Sequence, residues 1–399
     1  MKWIICFFTL FLHVSLEAQV YKIGYLFDSQ SASWQKDQTL VVKDGVIAEK
    51  NPPTLDPNVE IIDLSKKWVL PAFIDAHTHL FLNDSTFSYD FSAGLKKWVN
   101  KNKEEKIKLA QKRARQMREV GFTLARDLGN HGQIESSDIK RIKEIKIVSS
   151  GAGFVPLLGQ LPPASPKELA LEYRLISQGY QDHPYPLVKI YADEEPNHHF
   201  SQISDLKLIT KKAHQDHKLV AVHAILEKGI DLALESGADT LEHGTFMSAK
   251  QLKKLAGTSM IFVPTNAQAL FLNPQRKSYY HEDTLKDFKR TCHNVKEANR
   301  QRIPIAYGSD HYFDFPGEHF GENLVEILQS FRQCGLRNND LLKMITFTAA
   351  HTQNQYRVGK LDVGYLADFN VYEKSPAMDL KNLLKIEAIY RDGKLVNSK

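Results

Sequence analysis

The feature that most constrains this chain is a succession of short apolar runs, each closed by a polar or turn residue and followed by a helix-periodic segment. The runs are Trp68–Asp75, Phe122–Asp127, Ile145–Ser149, Leu187–Tyr191, Leu219–His223, Thr240–His243, Met260–Thr265 and Ile305–Asp310. The helical segments are Lys101–Val120, Ser201–Asp216, Leu226–Ser236, Ser248–Leu255, Thr284–Arg300, Glu322–Cys334 and Asn339–Ala350. In the clearest of them Ile107, Ala110, Ala114, Met117 and Val120 recur at spacings of three or four, and Gly121 stops the pattern. Strands alternating with helices predict an α/β fold, a parallel (β/α)8 TIM barrel. A doubly wound open sheet is the rival. No strand here runs into a GxGxxG turn, so its dinucleotide-binding form is excluded.

The flanks have a different pattern. Val20–Phe27, Thr39–Lys43, Val46–Ala48 and Glu60–Leu64 are strand-like, and so are Ala367–Glu373, Ile386–Tyr390 and Lys394–Val396. Asp44-Gly45 and Asp392-Gly393 are hairpin signals. The expected organisation is a small flanking β-sandwich from 19–68 and 355–399, around a barrel at 69–354. The first 18 residues predict a secretory signal peptide: Lys2 precedes the apolar run Trp3–Leu12, and Ala18 offers a small residue for cleavage. The run is short for a membrane span, and no later stretch has 18 consecutive apolar residues. A secreted or periplasmic protein without stable membrane insertion is therefore expected. The alternative is an N-terminal anchor or a buried strand. Composition adds exclusions. With 42% hydrophobic and 25% charged residues the chain is of ordinary globular type, and a net charge of +5 over 399 residues gives no reason to expect a nucleic-acid partner. Beyond the leader, Cys292 and Cys334 can be free thiols or one disulfide. Self-association is left open.

The chemistry-bearing residues lie at strand ends. Asp75-Ala76-His77-Thr78-His79 closes the first strand, and residues two apart in an extended segment face one side. His77 and His79 can thus present two imidazoles to one point. His223 closes the fifth strand, His243 the sixth and Asp310 the eighth. The C-terminal ends of parallel barrel strands converge on one cavity. Four histidines and a carboxylate there form a candidate site for one or two divalent metal ions, zinc foremost. The competing reading is a hydrogen-bonded core histidine at each position. Lys189, inside the fourth strand, is costly to bury unless neutralised, paired or able to reach water. As a neutral amine it could add carbon dioxide and become a carbamate; an ion pair with Asp193 or Glu194 is the alternative.

This order of residues resembles the amidohydrolase superfamily, in its imidazolonepropionase and metal-dependent prolidase branch. Leu70–His79 is similar to its first-strand motif, Gly121–Gly129 to its second-strand segment and Gly359–Asp368 to its return into the small β domain. The resemblance implies that His77 and His79 bind one metal with Asp310, and that carboxylated Lys189 bridges to a second held by His223 and His243. Two departures stand out: Tyr191–Glu195 replaces a small, Gly-rich run, and Ser309 stands where Thr is common. The expected activity is hydrolysis of an amide, lactam, ester or small-peptide bond in a small-molecule or small-peptide substrate. A metal-activated hydroxide would attack the carbonyl, with Asp310 as the proton carrier.

His131, Tyr191, Asn266 and Tyr312 follow strands and are candidate substrate contacts, with rim packing or a solvated loop as the alternative. His198-His199, His311 and His319 are expected in solvated loops, and His214 and His217 on the surface. Two other functions are open: an exported, non-catalytic metal- or ligand-binding barrel, and a glycosidase using carboxylates such as Glu194 and Glu242.

Overall fold

A computed structural model describes residues 18–83, 98, 101–130, 134–155, 174–175, 185–193, 203–279, 283–353 and 357–398. Residues 1–17 of the leader and His131 lie outside them. Among the described residues no helix is long and apolar enough to cross a membrane.

The two flanks build one seven-stranded sheet. Its strands are β1 (Gln19–Asp28), β2 (Ser33–Lys43), β3 (Val46–Lys50) and β4 (Glu60–Pro71) from the first flank. The second flank gives β14 (Phe369–Tyr372), β15 (Ile386–Arg391) and β16 (Lys394–Ser398). The order is β16-β15-β14-β4-β1-β2-β3. β1 and β4 are parallel and the other pairs antiparallel. Both Asp-Gly signals are the hairpin turns: Asp44 and Gly45 have φ of 51° and 77°, and Asp392 and Gly393 of 49° and 68°. Tyr21, Phe369 and Tyr390 knit the buried face, with ring centroids 4.6–5.4 Å apart.

Between the flanks the order is parallel and TIM-barrel-like. β5 (Phe73–Thr78), β6 (Phe122–Asp127) and β7 (Lys146–Ser149) form one sheet. A second has the order β13-β12-β11-β10-β8-β9, from β8 (Phe154–Val155), β9 (Arg174–Leu175), β10 (Leu187–Tyr191), β11 (Leu219–Ala224), β12 (Thr240–His243) and β13 (Ile261–Val263). No single continuous sheet closes among the described residues.

Three sequence expectations change in the structure. The run over Trp68–Asp75 is two strands, because main-chain partners switch at Ala72. Its N–H donates to Asp368 of the flanking sheet, whereas Phe73 N–H donates to Gly121 at the start of β6 (2.9 Å each). Among the described residues the run Ile305–Asp310 makes a single bridge, Phe262 with Ile305. It is nevertheless held to β5: Ala76 N–H donates to Tyr307 O at 2.9 Å, and Asp310 N–H to His77 O at 2.7 Å. The helix expected over Asn339–Ala350 is interrupted by a π turn at Met344–Thr348. Met344 O there accepts from Tyr307 N–H at 3.0 Å, which anchors the same eighth segment from below.

The outer helices match their periodicity closely. Lys103–Glu119 is capped by Asn102, whose side chain accepts from Glu105 N–H. Thr284–Arg300 and Phe320–Gln333 bracket the eighth segment, and a Cys292–Cys334 disulfide joins them. That bond closes a loop of 42 residues, for which chain entropy predicts about 4 kcal/mol of stabilisation. Cys292→Ser should therefore lose stability of that order in denaturant titrations, and a loss below about 1 kcal/mol would contradict a formed disulfide.

Candidate metal centre

β5 turns His77 inward and the chain just beyond it brings in His79. Their rings are 5.3 Å apart, and both are buried. Asp310 reaches them from the eighth segment: its Oδ1 is 3.4 Å from His77 Nε2 and 3.2 Å from His79 Nε2. The ligand atoms of the three lie within 4.8 Å of one another.

The far sides of the rings fix which nitrogen faces inward. His79 Nδ1 is 3.0 Å from the Gly129 carbonyl, which can only accept, so Nδ1 carries the proton. The lone pair of a neutral ring is then on Nε2, toward Asp310. Gly129 has φ of 144°, and a Cβ there would lie 2.5 Å from the Tyr191 hydroxyl, so glycine is needed for this carbonyl to reach His79. His77 Nδ1 is 2.7 Å from Glu242 Oε2. Glu242 Oε1 accepts from Arg126 at 2.6 Å and from the Thr240 hydroxyl. Burial, then the Lys189 charge, holds His77 well below the ordinary imidazole range. Its Nε2 is therefore a lone pair, buried and without a hydrogen-bond partner. Burial pulls Asp310 upward, but His77, His79 and Lys189 outweigh it and keep the carboxyl below its ordinary value. Two imidazoles with Nε2 turned inward and a carboxylate are a donor set that fits a divalent cation, with the outer hydrogen bonds of both rings already made.

The other expected ligands surround this group. His243 Nδ1 lies 2.8 Å from Thr265 Oγ1, and its Nε2 is buried without a hydrogen-bond partner. Its ring is 4.9 Å from His77 and 4.4 Å from His223. His223 Nε2 is instead 2.9 Å from Asp193, which also accepts from the N–H groups of Ile225 and Leu226. Asp193 is thus engaged elsewhere and does not pair with Lys189, while Glu194 lies outside the described residues. Lys189 Nζ is fully buried without a hydrogen-bond partner, 5.0 Å from the Tyr191 ring centre. Burial pushes its amine down to about 8 against the pull of Glu242 and Asp310. His243, Thr265 and Asp310 all have positive φ (70°, 22° and 52°). Such backbones cost on the order of 1–3 kcal/mol each, and they cluster where side chains must be aimed.

Of the candidate substrate contacts, Tyr312 sits 6.1 Å from the His79 ring, and Tyr191 lies 5.4 Å from His223. Asn266 is buried and donates to Ser330 at 2.7 Å. His311 is not a solvated loop residue. It is buried against Phe313 and Phe320, and burial followed by Arg113 pushes it down to about 3. Its carbonyl holds the Thr78 hydroxyl and His79 N–H, which draws the ring inside. His214 is exposed, as expected, and pairs with Asp239. Glu242 is committed to His77 and Arg126, which removes it as one of a glycosidase's free carboxylates. A cavity of about 770 Å³ opens at the opposite, strand-entry ends, lined by Ile261, Arg302, Ile305 and Phe347 among others. None of the expected ligands lines it.

Arg126 was absent from the expected site, and Glu242 entered only as an acid. Asp75 was also missed. Its Oδ1 accepts from the N–H groups of His77 and Ser309 (3.0 Å each), tying the first strand end to the eighth. Burial raises its carboxyl to about 7. The available signal was a charged residue inside an otherwise apolar strand.

The chain is also similar to known proteins. A profile of the Amidohydrolase family matches residues 68–396. An imidazolonepropionase of Fusobacterium nucleatum is 24% identical, over 92% of this chain and 91% of its own. An ochratoxinase of Aspergillus niger is 25% identical over 51% of this chain and 43% of its own. Among solved structures, a Xaa-Pro dipeptidase with bound methionine superposes with a TM-score of 0.78 at 19% identity, over 96% of this chain and 100% of its own.

Glu242→Gln would leave a buried Arg126 without its counter-charge and loosen His77. Zinc affinity, read by calorimetric titration of the metal-free protein, should fall by about 10- to 100-fold. Unchanged affinity in a folded variant would show that Glu242 does not orient His77.

Proposed function

The chain belongs to the amidohydrolase family and is a hydrolase of carbon–nitrogen bonds, and from that premise we propose an exported, metal-dependent enzyme that cleaves a small amide, lactam, peptide or ester. The observation that carries this reading is the His77–His79–Asp310 group, with two buried imidazoles whose Nε2 atoms turn toward one half-buried carboxylate.

His77, His79 and Asp310 would hold one cation, and His223 and His243, with Lys189 as its carbamate, a second. Zinc is the expected ion for such donors. When bound, the cation supplies a Lewis acid for the scissile carbonyl and lowers the pKa of water. The protein does the rest. Asp310, ionised by its surroundings, takes a proton from the attacking water and delivers it to the leaving nitrogen or oxygen. Lys189, shifted down to about 8, has a neutral fraction that can add carbon dioxide, releasing a proton as the N–C bond forms. Tyr312, beside His79, and Tyr191, beside His223, would contact substrate. His131 stays a candidate contact.

Export and domain division belong to the same proposal. The leader 1–18 would be removed. The Cys292–Cys334 disulfide supports export, because such bonds persist in oxidising compartments. The β domain would comprise 19–68 with 355–399, flanking a barrel at 69–354.

The test is metal analysis of the purified protein, then dipeptide, lactam and ester panels with and without chelator. Turnover should require metal, vanish with chelator and return on adding zinc; chelator-insensitive turnover would overturn the reading. Asp310→Asn should retain metal while turnover falls by at least about 100-fold, the scale of general acid–base catalysis. Full activity in that variant would remove Asp310 from the proton path.

A further inference from the structure

Arg113 lies on an outer helix, in a segment whose basic residues look like a solvated face. Its side chain is instead fully buried. A buried guanidinium is costly unless its donors are met. Here Nη1 and Nε are met, Nη1 by main chain that has just left β5, while Nη2 is buried without a hydrogen-bond partner. Nη1 is shared among the carbonyls of His79 (3.1 Å), Leu80 (3.3 Å) and Leu82. Nε donates to Asp314 Oδ1 at 3.0 Å, and the guanidinium lies 4.9 Å from the Phe320 ring centre. One side chain therefore grips two loops: 79–82, which carries His79, and 310–314, which carries Asp310.

Among the described residues the direct links between the two loops include the approach of His79 Nε2 to Asp310 Oδ1 at 3.2 Å. His79 N–H reaches His311 O at 3.4 Å, and Thr78 Oγ1 reaches the same oxygen at 3.1 Å. Past the end of β5 the carbonyls of His79, Leu80 and Leu82 turn to the helix side. A planar fork can serve these carbonyls and a carboxylate together, which a single ammonium cannot. Lys112 reaches the other oxygen of Asp314 at 3.2 Å but is exposed, so it adds little.

We propose that Arg113, through its carbonyl contacts and Asp314, is a positioning residue that sets the separation of His79 from Asp310, and thereby metal affinity, without touching metal or substrate. The inference rests on the reading of His77, His79 and Asp310 as ligands. It predicts that affinity at the centre is controlled from an outer helix, through the main chain of 79–82 and the Asp314 carboxylate.

The experiment is calorimetric titration of the metal-free full chain with zinc, for wild type, Arg113→Lys, Asp314→Asn and the double variant, each with its thermal midpoint. Met117→Ala, a cavity in the buried face of the same helix, is the control for lost stability. Each single clamp variant should bind zinc at least tenfold more weakly. The double variant should be little worse than either single one, and Met117→Ala should bind as wild type does. If Arg113→Lys does not fold, the more exposed Asp314→Asn decides alone. Wild-type zinc affinity in the folded clamp variants would overturn the inference and leave the metal reading intact. So would a loss that Met117→Ala reproduces at equal destabilisation. A wild-type protein that binds no zinc would overturn both.

Discussion

The contact on which the site depends is the one between Glu242 and His77 Nδ1, at 2.7 Å in a fully buried setting. A carboxylate there would be prohibitively costly on its own. Arg126 neutralises it, and Arg126 in turn spends its remaining donors on the Ala76 and Thr352 carbonyls and the Thr240 hydroxyl. β5, β6, β12 and the segment after the π turn are thus tied through one charge pair. The result at the surface of that network is a single lone pair, His77 Nε2, aimed at Asp310. Removing any member would leave a buried charge or donor unmet, so strand packing and ligand orientation are secured by the same bonds.

The opposite wall works by backbone. Asp310 is brought to His77 by an N–H to carbonyl bond, by Asp75 bracketing the His77 and Ser309 N–H groups, and by its own positive φ. The eighth segment makes few ladder bonds of its own. It is held from below by Met344 O and from the side by helices joined through the Cys292–Cys334 bond. A sparse strand at this place leaves room for the Asp310 carboxylate to project toward His77 and His79, and the surrounding supports supply the rigidity a regular ladder would have given.

Much of this was legible in the residues. The alternation of apolar runs and helices predicted the parallel core. The two Asp-Gly pairs predicted hairpins, and strand ends pointed to His77, His79 and Asp310. What escaped had a common physical cause: it depended on partners distant in sequence. The apolar run Trp68–Asp75 gives no sign that Ala72 and Phe73 bond to different sheets. Arg113 is indistinguishable from its solvated neighbours until three carbonyls turn toward it. Arg126 and Glu242 look like isolated charges in apolar strands, and only their pairing explains both. His311 is polar by type, yet its position between Asp310 and an aromatic cluster buries it. The pairing of Cys292 with Cys334 likewise needed the helix arrangement.

The central claim is that His77, His79 and Asp310 hold a metal ion. Anomalous diffraction at the zinc edge, from crystals of active protein, tests it most directly. The account predicts an anomalous peak bonded to Nε2 of both histidines and to the Asp310 carboxylate. Active crystals with no such peak, or with metal bound only elsewhere, would contradict it.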